Sequence, residues 1–226
     1  MLAINLNKQI VIYSLGKTGT TSLINSLTND WYSTGEISAV FMKELYPDSF
    51  NGHVDQYKAL QFLYKQQFKV YVIIREPWKR YVSGIKEVMQ DNLNPMFEDP
   101  INGVYSNLSD QKLTKAIDRL FYLSEFKRET DFKFDKTFPY PSDFAIHHNY
   151  HIRNWLYSVK DLNATFIDNS NLNDFIKGLG LTPAERTNVS NPEFIKRLET
   201  SIKSTNIYFY IEKYLHSEIE TYQKLI

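Results

Sequence analysis

The chain has 226 residues, no cysteine, and 26 basic against 26 acidic side chains, so its formal net charge is zero. The length suits one α/β domain with a sizeable core, and the charge balance argues against a protein built mainly to bind nucleic acid. The missing thiols exclude a disulfide-stapled scaffold and fit a reducing compartment. Met1–Lys8 is short and mixed, without the apolar run of a signal peptide. No later stretch reaches the roughly 18 unbroken apolar residues of a membrane-spanning helix. The expectation is a soluble, cytoplasmic protein with no membrane partner.

Gln9–Leu15 is a short apolar run rich in β-branched and aromatic residues, which predicts a buried strand. A Gly/Thr-rich turn follows, and Leu23, Ile24 and Leu27 then fall at helical spacing over Thr21–Leu27. Val54–Lys65 predicts a second helix, and Phe68–Ile74 a second buried strand. Pro77 opens the next helix, since proline suits the first helical turn. Asp91–Ser109 is rich in Asn, Asp, Pro and Gly and predicts a loop. Leu113, Ile117, Leu120 and Phe121 mark a helix, Glu129–Pro141 is aperiodic, and Ser142 is placed to cap a helix through Val159. Ala164–Ile167 predicts a strand, and Leu172–Leu179 a helix with Gly180 as its terminator. Asn191-Pro192 starts a further helix, and Ile211, Leu215, Ile219, Tyr222 and Leu225 line the last one. Strands alternating with helices predict a single α/β domain over residues 1–226, with a mainly parallel central sheet flanked by helices.

The first strand runs into Leu15-Gly16-Lys17-Thr18-Gly19-Thr20-Thr21-Ser22. Glycines allow a tight turn and close approach to a ligand, and the free N–H groups at a helix start favour an anion. Lys17 adds a full charge, and Thr20 and Thr21 add hydroxyls, so the segment suits a phosphate or sulfate. The ATP/GTP loop G-x-x-x-x-G-K-[ST] is a rival. Gly16-Lys17-Thr18 matches its end, but the leading glycine falls at Val11, inside the strand. An Asp for magnesium would be wanted after a second strand. That strand ends in Arg75-Glu76 instead.

A second segment, Val72-Ile73-Ile74-Arg75-Glu76-Pro77-Trp78-Lys79-Arg80-Tyr81-Val82-Ser83-Gly84, ends a strand and begins a helix. Arg75 therefore sits where open α/β sheets bind ligands, and its planar fork suits a phosphate. Ser83 can add a hydrogen bond, whereas Arg80 is better read as a structural ion-pair partner. Between the two segments lies Phe50-Asn51-Gly52-His53-Val54. A neutral histidine there can accept a proton near pH 7.

The first segment resembles the P-K-[ST]-G-T-T loop that binds the 5′-phosphosulfate in sulfotransferases that use PAPS (3′-phosphoadenosine 5′-phosphosulfate). Gly16 stands where the family has proline. The second matches every fixed position of the family's R-x-P-x-x-R-x-x-S motif for the 3′-phosphate, as Arg75, Pro77, Arg80 and Ser83. The Gly-His-Val segment is similar to that of the heparan sulfate 2-O-sulfotransferase branch, in which it supplies the base. The resemblance implies a P-loop-like sulfotransferase fold and a PAPS site made of Gly16, Lys17, Thr18, Gly19, Thr20, Thr21, Ser22, Arg75 and Ser83. It implies His53 and Lys17 as catalytic residues, no metal, and a carbohydrate or small-metabolite acceptor. Asp55 and Glu76 are weaker alternatives as the base. Besides a P-loop kinase or NTPase, a non-catalytic nucleotide- or glycan-binding protein is the other alternative.

His147, His148 and His151 cluster with Asn149 and Arg153 in a predicted helix, where a role in holding the acceptor is favoured over zinc. Arg186–Ser190 loosely resembles a late donor-binding loop of the family, and Ala164–Leu181 its strand followed by a helix ending in Leu-Gly-Leu.

Overall fold

Runs of valine and isoleucine form strands where the sequence predicts them, and two further strands join them. The computed structural model describes residues 1–14, 18–34, 56–92, 108–115, 117, 156, 159–160, 162–185, 191–205 and 208–226. The strands are β1 (Leu2–Asn5), β2 (Ile10–Ser14), β3 (Tyr32–Thr34), β4 (Lys69–Ile74) and β5 (Thr165–Asp168). The helices are α1 (Thr20–Ser26), α2 (Gln56–Lys65), α3 (Pro77–Asn92), α4 (Leu172–Gly178), α5 (Pro192–Lys203) and α6 (Tyr208–Leu225). Among the described residues no helix is long and apolar enough to cross a membrane. The chain divides into two compact units. The first comprises Met1–Glu76, Asn154–Thr187 and Thr221–Ile226, and the second Pro77–Arg153 and Asn188–Glu220.

The first unit holds a five-stranded sheet in the order β3-β1-β2-β4-β5. β2, β4 and β5 run parallel, but β1 is antiparallel to both β2 and β3. The expectation of a mainly parallel sheet is therefore corrected to a mixed one. The reason is local: β1 turns directly into β2 through residues 6–9, and a connection this short allows only an antiparallel hairpin. Gln9 takes a left-handed φ of 51° in that turn, and its N–H donates to the Leu6 carbonyl at 3.3 Å.

Side chains alternate across the sheet, so β1, β2 and β4 each feed two cores. Leu2, Ile4, Val11, Tyr13, Val70, Val72 and Ile74 pack with Ala59, Leu60 and Leu63 of α2 and with Tyr222. On the other face Ala3, Ile12 and Ile73 pack with Leu23 of α1 and with Leu172 and Ile176 of α4. Burying each Val, Leu or Ile contributes about 1.5–3 kcal/mol, and this double burial explains why the strands read as continuous apolar runs. Gly180 ends α4 as its sequence position suggests. With φ 80° it lets its own N–H reach the Lys177 carbonyl and that of Leu181 reach Ile176.

In the second unit α3, α5, the first part of α6 and the helical residues 110–115 share a core of Tyr81, Val82, Ile85, Leu113, Leu198, Ile202, Ile211 and Leu215. α3 begins at Pro77. Asn191 caps α5, its side chain accepting from the Glu193 N–H at 2.9 Å, with Pro192 at the first helical position. The core also holds charge: Arg80 of α3 and Glu218 of α6 are each only 3% exposed. Burial pushes the Glu218 carboxyl up to about 8, against the opposing pull of the Arg80 charge. Arg80 is thus buried within electrostatic reach of Glu218.

A carboxyl raised in the folded state gives stability that is full below its unfolded value near 4.5 and is lost as pH rises to about 8. Glu218→Gln, which mimics the protonated form, is therefore expected to match the wild type at pH 4.5. It should gain steadily on the wild type as pH rises toward 8 in urea-unfolding midpoints. A constant difference across that range would contradict this account of Glu218.

Candidate functional site

β2 ends at Ser14, and the chain re-enters the described structure at Thr18, just before α1. Ser14 is buried, and its Oγ lies 2.8 Å from Thr18 Oγ1 and 3.0 Å from Thr20 Oγ1. A serine at the end of the strand thus ties the two sides of the turn together. Thr18 is also buried. Thr20 and Ser22 are half-buried and Thr21 is exposed.

Gly19 enters α1 with φ 92°, in the left-handed region where side chains are disfavoured. Space forbids one as well. A Cβ at Gly19 would lie 2.5 Å from Asn169 Nδ2 and 2.6 Å from Leu172 Cδ2. The crowding neighbour is itself a ligand of the turn, because Asn169 Nδ2 donates to the Thr18 carbonyl at 2.7 Å. Asn169 follows β5, and β4 lies between β5 and β2 in the sheet. The bond therefore crosses the end of β4.

Arg75 emerges at that end. The parallel register pairs Ser14 with Ile73, so the Thr18–Thr20 turn and Arg75 leave neighbouring strands at one edge. β5 joins in parallel, pairing Asp168 with Ile74. Three successive carboxyl ends meet there, the place where open α/β sheets collect ligands. Arg75 and Glu76 are both half-buried.

The Asp168 carboxylate at this edge is engaged. Asp168 Oδ2 accepts from the Tyr222 hydroxyl. Its Oδ1 accepts from the Ser170 N–H at 2.8 Å and from the Ser170 hydroxyl. Burial and the Asp168 carboxylate push the Tyr222 hydroxyl well above the usual phenol range, which keeps it a donor. The Asp168 charge is thus directed at fixed donors. Arg75 and Glu76 follow β4 and the Thr18–Thr20 turn follows β2 at this end of the sheet, and guanidinium and hydroxyl groups are donor types that suit a phosphorylated or sulfated ligand.

The expected site residues are thus partly brought together. Thr18, Gly19 and Thr20 share the sheet edge with Arg75, and Thr21 and Ser22 form the first turn of α1. The Ser22 carbonyl accepts from Ser26 Oγ at 2.7 Å. Ser83 is half-buried on α3 in the second unit, one turn beyond Arg80. Gly16, Lys17, His53, Asp55, His147, His148 and His151 lie outside the described residues, as does Arg186–Ser190. Among the described residues no three His, Cys, Asp or Glu side chains form a group able to hold a metal ion.

Ser14, Asn169, Asp168 and Tyr222 are additions that sequence reasoning missed. Asp168-Asn169-Ser170-Asn171 after a strand carries turn chemistry. Nothing in it names a partner 151 residues earlier in the chain. Compared with known proteins, the chain matches no family model, no curated protein and no solved structure.

Proposed function

We propose that this protein is a sulfotransferase with a P-loop-like sulfotransferase fold, moving a sulfuryl group from PAPS to a hydroxyl or amine of a carbohydrate or small metabolite. The observation that carries this reading is the adjacency of β2 and β4. The turn that the first motif assigns to the 5′-phosphosulfate and the arginine assigned to the 3′-phosphate leave neighbouring parallel strands at one edge. Two motifs separated in sequence share a ligand only if the fold does this.

In this reading Arg75 grips the 3′-phosphate through its fork, and the second motif assigns Ser83 to the same group. The Gly16–Ser22 loop receives the 5′-phosphosulfate. His53 takes the proton from the acceptor hydroxyl while that oxygen bonds to sulfur. The bond from sulfur to the bridging oxygen breaks, and the charge it releases is met by Lys17. The residues supply positioning and electrostatic stabilisation, without a covalent enzyme intermediate.

Thermal unfolding with a panel of nucleotides tests the assignment. A ligand held only by the native state raises the midpoint by mass action. PAP (adenosine 3′,5′-bisphosphate) is expected to stabilise the protein clearly more than AMP, which lacks the 3′-phosphate, and more than ATP or GTP with magnesium. Equal stabilisation by AMP would remove Arg75 from the 3′-phosphate. A larger effect of magnesium ATP would replace the sulfotransferase reading with that of a kinase or NTPase.

A further inference from the structure

The bond between Asn169 and the Thr18–Thr20 turn lies between elements far apart in the chain, and the first motif does not contain it. Asn169 Nδ2 donates to the carbonyl of Thr18, a buried residue whose hydroxyl is already engaged by Ser14. The next residue, Gly19, has the left-handed φ that turns the chain into α1. Holding the Thr18 carbonyl fixes the peptide between Thr18 and Gly19. The direction of the Gly19 N–H, part of that peptide, is then fixed too. Asn169 is anchored in turn, because its neighbour Asp168 is gripped by Tyr222 and by the Ser170 N–H. The chain of bonds thus runs from Tyr222 through the turn after β5 to the Thr18–Gly19 backbone.

We infer that Asn169 is a positioning residue, which sets the peptide plane of Thr18–Gly19 and thereby the grip of the turn on the 5′-end of the ligand. The nucleotide part of this inference rests on the sulfotransferase reading; the hold on the turn does not. Asn169 touches no reacting atom and acts through Thr18. Its amide is needed as a donor, not as a filler: an aspartate has the same shape, but an ionised carboxylate cannot donate to a carbonyl.

Two measurements test this. In the ligand-free protein, hydrogen exchange of the Thr18–Ser22 segment should quicken by about tenfold in both Asn169→Ala and Asn169→Asp. It should stay at the wild-type rate in Asn171→Ala, a control on the same turn whose side chain makes no capping hydrogen bond. Unchanged exchange in both Asn169 variants overturns the inference, whatever nucleotide the protein binds. So does a loss of protection spread evenly over β2, β4 and β5, since that marks a residue needed only by the fold. In titration calorimetry, Asn169→Ala should weaken PAP about tenfold and leave adenosine 3′-phosphate, which has no 5′-phosphate, within about twofold of wild type. Equal weakening of both ligands overturns the positioning role. A wild-type protein that binds neither nucleotide removes the sulfotransferase reading, and the exchange result then decides the role of Asn169 alone.

Discussion

His53→Ala is expected to lose at least about 10²-fold in turnover while binding PAP as the wild type does, because a positioned base contributes about 10²–10⁴-fold in rate. Neither the first motif nor Arg75 and Ser83 includes His53, so removing its imidazole leaves the donor's ligands intact. Only the step in which the acceptor oxygen attacks needs a proton acceptor. In the wild type, protonation of the base on the acid side should shut the reaction down, so the rate should fall as pH drops. The variant has no such group, and that limb should vanish from its profile. The measurement is the pH dependence of kcat/KM for both proteins with an acceptor found by screening carbohydrates and hydroxylated metabolites. If His53→Ala turns over near the wild-type rate, the base is another group, with Asp55, Glu76 and His148 to be replaced in that order.

Arg75→Ala is expected to weaken PAP by about 2 kcal/mol, roughly 30-fold, the ordinary value for a charge-assisted contact to a phosphate. The affinity for AMP should change little, since AMP offers nothing at the 3′-position. Arg75→Lys should restore only part of the loss, because an ammonium keeps the charge but not the two-pronged geometry. Titration calorimetry with the two nucleotides checks this. Unchanged PAP affinity in Arg75→Ala would detach the second motif from the donor. The comparison also guards against a general effect, since a variant that merely loosens β4 should lose both ligands together.

Much of the architecture was legible from residue order, for identifiable reasons. β2 and β4 are short β-branched and aromatic runs buried on both faces, and such runs announce themselves. Pro77, Gly180 and Asn191-Pro192 bounded their helices because proline, glycine and asparagine act through local backbone chemistry. β1 and β3 escaped notice. Leu2–Asn5 is four residues ending in a buried Asn5, whose amide is satisfied by Asp30 at 2.7 Å and by the Lys8 N–H at 2.9 Å. Tyr32–Thr34 is three residues long and, among the described residues, pairs with β1. Segments this short become strands because a neighbouring edge offers them hydrogen bonds, which no window of sequence reports.

The division within the candidate site has the same physical origin. By itself the sequence determined the strand–turn–helix around Thr18, Gly19 and Thr20 and the strand end at Arg75, since each is a matter of a few consecutive residues and their backbone preferences. Only the tertiary structure decided that β2 and β4 are neighbours, and so that the turn and Arg75 share an edge. It alone disclosed that Asn169 holds the Thr18 carbonyl, that Tyr222 engages Asp168, and that Arg80 lies buried with Glu218. Those partners come from distant parts of the chain, and side-chain hydrogen bonds and buried charges carry no periodicity that sequence alone could reveal.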